Sequence, residues 1–201
     1  MKITLSFFLF VFFIPALAHA DAFVTLNQVD LMMVTSCPAI KGDLKSIRIV
    51  GVKDRAQEKS VGFTKQGGEV VKVYASDLEK TIRNSVSAVL KKCGYKVGSD
   101  SDALKLTIYI DEFFGGTRNK FLVGKSTTKV ALELVLETAD ANSQYKFRFL
   151  QEIDSKGGAS KKLKRLEKSL NEALADVLNQ VAASDALFNG VKELSSLQSP
   201  G

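Results

Sequence analysis

Apolar and polar positions mark out the elements of this chain before any residue chemistry is considered. Residues 5–17 form an apolar run broken only by Ser6 and Pro15. Ile47-Arg48-Ile49-Val50-Gly51-Val52 is rich in β-branched residues and predicts a strand. Residues 53–68 are polar and glycine-containing and read as a long loop, whereas residues 69–74, with Val70, Val71 and Val73, predict a second short strand. Leu78, Ile82, Val86, Val89, Leu90 and Cys93 then recur at helical spacing. Ser76 is the expected N-cap, Glu79 completes a capping box, and Gly94 supplies the left-handed stop. Tyr95-Lys96-Val97 predicts a short strand, residues 104–110 alternate strictly, and Gly115-Gly116 is expected to turn the chain. Val130, Leu132, Leu134 and Leu136 share one face of a strand over residues 128–138. Turn chemistry follows at residues 140–143, and Tyr145, Phe147, Phe149 and Ile153 alternate along another strand. These three long strands predict an antiparallel meander with one face toward a core. After Gly157-Gly158, the stripe of Leu163, Leu166, Leu170, Leu174, Val177, Leu178 and Val181 predicts a long helix. Ser184 caps a short final helix carrying Leu187, Phe188, Val191 and Leu194.

The pattern gives an α+β fold: a mixed or antiparallel sheet, two amphipathic helices packed on one face, and a short extra C-terminal helix. It divides the chain into a signal segment (1–20), a lead-in (21–45), a single α+β domain (46–195) and a tail expected to be disordered (196–201).

The apolar run at the N-terminus has the three parts of a cleavable secretory signal. Lys2 gives the positive charge, the run itself follows, and Ala18-His19-Ala20 puts small residues where a signal peptidase reads, with Asp21 opening the mature chain. The run is shorter than the roughly 20 residues that a spanning helix needs. A lipoprotein signal would need a cysteine directly after it, but position 21 is Asp. Val34-Thr35-Ser36-Cys37 faintly resembles a lipid-attachment box, yet Asp21, Asn27 and Asp30 separate it from the run. The expected product is an exported chain, periplasmic or envelope-associated, with secretion into the medium as a further destination.

Export changes what composition means. The only histidine, His19, leaves with the signal, so the mature chain holds no imidazole. That excludes Ser-His-Asp and Cys-His catalysis and the histidine-containing zinc sites. The formal net charge of +6 meets anionic headgroups and phosphates in that compartment rather than nucleic acid, and a modest charge also serves solubility. Cys37 and Cys93 are candidates for a disulfide in an oxidising compartment; the alternative is two unpaired thiols, with Cys93 filling the buried helix face.

Ser76-Asp77-Leu78 opening a helix, Lys92-Cys93-Gly94-Tyr95-Lys96-Val97-Gly98 closing it, the three strands that follow and the terminal helix with Asn171-Glu172-Ala173-Leu174 resemble the YajG-like lipoproteins of Gram-negative envelopes. The resemblance covers residues 75–184 and implies an envelope location and a non-enzymatic role, with no active-site residues to carry over. This chain departs from that pattern in lacking a lipid-bearing cysteine at the cleavage site.

Gly124-Lys125-Ser126-Thr127 ends like a phosphate-binding loop, but Asn119 stands where that motif needs its first glycine, and the compartment lacks ATP. Lys161, Lys162, Lys164, Arg165 and Lys168 form a candidate anion patch for headgroups or an acidic partner, or else a solvated lysine face. Phe113 and Phe114 are a candidate apolar contact for a partner, or core. Asp111 and Glu112, as strand neighbours, are expected to face opposite ways, so that they cannot share one bond. No catalytic residue, metal ligand or cofactor site emerges. The expected function is an accessory or binding protein that contacts an envelope protein, with peripheral membrane contact allowed. Two alternatives stand beside it: a carrier of a lipid or amphipathic small molecule, and a secreted factor acting on a host.

Overall fold

The computed structural model describes residues 22–26, 37–39, 44–66, 69–116, 125–156 and 163–197. The signal segment with Ala18, Ala20 and Asp21, the Gly157-Gly158 break, Lys161, Lys162 and the tail from residue 198 lie outside the described residues. The strands are β1 (Ala22–Thr25), β2 (Ile47–Asp54), β3 (Gly62–Gln66), β4 (Glu69–Ser76), β5 (Leu104–Gly116), β6 (Lys125–Glu137) and β7 (Gln144–Lys156). The helices are α1 (Leu78–Lys92), α2 (Leu163–Ala182) and α3 (Asp185–Leu197).

One mixed seven-stranded sheet runs β1-β4-β3-β5-β6-β7, with β2 also paired to β5. The meander β5-β6-β7 is antiparallel, as the alternation predicts. β1 is parallel to β4, and β2 is parallel to β5. Alternation sends Leu104, Leu106, Ile108 and Ile110 of β5 and Val130, Leu132, Leu134 and Leu136 of β6 into one core. Leu166, Leu170, Leu174 and Val177 of α2, Ile82, Val86 and Val89 of α1, and Leu187, Val191 and Leu194 of α3 close over the same face. At the β6–α2 contact the buried Thr128 hydroxyl donates to Ser169 Oγ at 2.9 Å, which donates on to the Leu166 carbonyl at 3.0 Å. Such a bond contributes about 1 kcal/mol.

Four local expectations change. The segment read as a loop contains β3: Gly62–Gln66 pairs antiparallel with β4. Gly115-Gly116 does not turn the chain but continues β5, where Gly115 pairs with both Thr128 and Gly62. A Cβ on Gly115 would stand 2.5 Å from Leu166 Cδ1, so the missing side chain there admits α2 rather than a turn. The N-cap of α1 is Asp77, in the left-handed region (φ 52°) and without a side-chain cap bond, because Ser76 is drawn into β4 by its pairing with Thr25. Tyr95-Lys96-Val97 makes only an isolated bridge from Val97 to Ile47.

The C-terminus of α1 behaves as expected. Gly94 adopts φ 89°, its N–H reaches the Lys91 carbonyl and that of Tyr95 reaches Leu90, which satisfies the last carbonyls. The lead-in contributes β1, whose Val24 is buried in the core, as is Leu26 just beyond it.

Candidate functional site

The helices occupy one face of the sheet, and the other carries an ordered array of charged and aromatic side chains. A β-bulge organises it. The β5–β6 register shifts between Ile110 and Glu112, so two residues of β5 oppose one of β6. Asp111 and Glu112 therefore both lie on the open face, against the expectation that they face opposite ways: strict alternation fails where a residue is inserted. Arg55, just past β2, donates to Asp111 Oδ1 from Nη2 at 2.6 Å and from Nε at 3.1 Å, and to Glu133 Oε1 at 3.0 Å. Its guanidinium lies 3.9 Å from the centre of the Tyr109 ring, and Lys53 approaches the same ring at 5.7 Å. The hydrogen bond to Asp111 leads the interactions that raise Arg55 above its ordinary pKa. Arg148 Nε faces Asp111 Oδ2 at 3.6 Å, and Lys129 pairs with Glu112 at 3.1 Å and lies 4.0 Å from Glu152. At the β1–β4 corner of this face, Phe23 is 59% exposed with its ring centroid 6.1 Å from that of Tyr74.

Chemically, this arrangement holds and orients. Each carboxylate facing the array has a cation beside it, and among the described residues no group of three His, Cys, Asp or Glu side chains is placed to hold a metal ion. No helix of the described residues is long and apolar enough to cross a membrane.

The residues singled out from sequence fall in separate places. Cys37 and Cys93 are bridged, with Cα atoms 5.3 Å apart, which ties residues 37–39 to the end of α1. Both cysteines of the chain are in this bond, so neither sulfur is free to bear a lipid while it is closed. Phe113 and Phe114 do not offer an exposed apolar contact: they are 2% and 7% exposed. Phe113 points into the core, and Phe114, on the opposite face, is covered edge-on by Phe63 at 5.8 Å. Lys164, Arg165 and Lys168 are exposed at the start of α2, with Lys168 also 3.7 Å from Glu172. Sequence reasoning missed Arg55, because it sits in the segment read as loop. It placed the helices on one face of the sheet but did not single out the charged array on the other, although Lys105, Thr107 and Tyr109 alternate with the apolar residues that were counted.

Tyr95, beside the disulfide, gives this region a pH signature. Burial, and after it the negative charge of Asp185, push its hydroxyl from 10.0 up to about 12. The folded state thus holds this proton more tightly than the unfolded chain. The associated stability is fully present below pH 10 and is lost as pH rises toward about 12. Denaturant midpoints measured across that window should fall. Tyr95→Phe should remove most of the fall, leaving the contribution of Tyr145, whose hydroxyl Glu193 also raises.

The domain is a one-sided α+β sheet, covered by helices on one face and open on the other. The chain belongs to the family Lipoprotein_16, described as uncharacterized lipoprotein, whose profile matches residues 41–190. The YajG-like resemblance read from the sequence and this family agree, and they make the protein lipoprotein-like and associate it with the cell envelope. No curated protein matches the chain. Among solved structures, a Xanthomonas campestris protein of the family DUF330 is similar at 13% identity and a TM-score of 0.56, over 89% of this chain and 99% of that one. An uncharacterized protein is similar at 15% identity and a TM-score of 0.51, over 81% and 96%. These two share the fold. Lipoprotein GNA1162 from Neisseria meningitidis is similar at 15% identity over 70% and 99% of the two chains, with a TM-score of 0.38.

Proposed function

We propose that this protein is a non-enzymatic accessory of the bacterial envelope, exported to the periplasm, where it holds a protein partner against the open face of its sheet. The observation that carries this reading is that the open face presents both an exposed Phe23, beside Tyr74 at its β1–β4 corner, and the ordered array around Arg55 and Tyr109. An exposed aromatic and a set of oriented charges on one face suit a protein surface: the ring provides area and the charges fix register. Membership of a lipoprotein family supports the compartment.

The test is mild cross-linking in intact cells, followed by capture of the tagged chain and analysis of both proteins and lipids. One reproducible envelope protein is expected, and Phe23→Ser, at an exposed position, should reduce its recovery. Recovery of lipid with no protein partner would overturn the reading in favour of a carrier.

A further inference from the structure

β7 is the last strand on its side of the sheet, and among the described residues it pairs only with β6. Edge strands of this length are ordinarily guarded by charge. Here the charges have an order. Along the open face β7 presents Lys146, Arg148, Leu150, Glu152 and Asp154, all exposed. Two cations precede the leucine and two anions follow it. A row of one sign would repel a second copy of itself, whereas a row whose sign reverses about its midpoint attracts one.

We infer that β7 pairs antiparallel with β7 of a second copy of this chain, about a two-fold axis at Leu150. In that register Leu150 meets Leu150, Arg148 of each copy meets Glu152 of the other, and Lys146 meets Asp154. Directly opposed side chains are close enough to interact, so each opposite-charge pair is favourable. Leu150, 43% exposed in the single chain, gains an apolar neighbour. On the other face the same axis sets Phe149 opposite Gln151 and Phe147 opposite Ile153, with no like charges opposed. The Leu150 carbonyl accepts from Gln180 Nε2 at 3.1 Å; its oxygen has a second lone pair, so this bond does not bar pairing. The interface is isologous and closes on itself: it uses the β7 edge of both copies, so no third copy can add there.

Sedimentation of the purified full chain tests this. A dimer that weakens with added salt is expected. Leu150→Lys opposes two like charges at the axis and should weaken association at least about tenfold. Glu152→Arg should weaken it too, and adding Arg148→Glu to that variant should restore it, because the reversed pairs are again complementary. Leu150→Cys keeps the strand apolar and should give a rapid interchain disulfide under mild oxidation, whereas Val70→Cys, exposed on β4, should not. A wild-type chain that stays monomeric at high concentration would overturn the inference. So would a dimer indifferent to Leu150→Lys, or a Leu150→Cys chain that cross-links no faster than the Val70→Cys control.

Discussion

Replacing both Cys37 and Cys93 with serine is expected to lower the unfolding free energy by about 4 kcal/mol. The bridge spans a sequence separation of 56 residues, and cross-linking a loop of that size removes about that much entropy from the unfolded chain. The effect is large because the constraint spans β2, β3, β4 and α1, so without it the denatured ensemble regains the freedom of a long stretch of chain. Urea unfolding with and without reductant reads the difference directly. Reduced wild-type protein should match the double variant, and thiol titration in denaturant without reductant should find no free thiol. Equal midpoints in the two conditions would sink the argument. The same experiment bears on attachment, since a closed bridge keeps both sulfurs from acylation.

Gly62→Ala is expected to cost about 3 kcal/mol, at the upper end of what overpacking does. Gly62 has φ +159°, and a Cβ there would stand 2.3 Å from the Gly115 carbonyl oxygen and 2.8 Å from Leu166 Cδ2. The first neighbour is backbone and cannot swing aside. Gly62 and Gly115 form the one register pair that joins β3 to β5, backed by the Gly115 N–H bond to the Val61 carbonyl at 2.8 Å. The variant must either part that junction or lift α2. Gly51→Ala, where nothing lies within 4 Å of the added carbon, is the control and should change stability by less than about 0.5 kcal/mol. Similar losses for the two would remove the steric explanation.

Helices α1 and α2 and the meander were legible because each repeats its period over many residues, so a single exception does not disturb the pattern. β3 was hidden because Gly62-Phe63-Thr64-Lys65-Gln66 has one large apolar residue and owes its extended form to β4 beside it. Paired glycines normally signal a turn; at 115–116 they signal a helix pressing on a sheet, which depends on Leu166, some fifty residues away. The bulge at Asp111 reverses a face assignment that two-residue alternation cannot foresee. The two cysteines were visible as partners, but their pairing is set by where α1 ends against residue 37. Phe113 and Phe114 sit side by side in sequence and on opposite faces in space, each covered by a different layer.

The connectivity of the sheet also sets an order of events. β5 pairs with β6 and β6 with β7, each its immediate successor, at little cost in loop closure, whereas β1 must find β4 and β2 must find β5 across intervals of about fifty residues. A chain made from its N-terminus therefore presents its first strands well before the central strand to which both halves of the sheet attach exists. β1 waits for residues 69–76, and β2 waits unpaired until residues 104–116 arrive. An unpaired strand of this kind makes premature association a hazard in the biogenesis of this molecule.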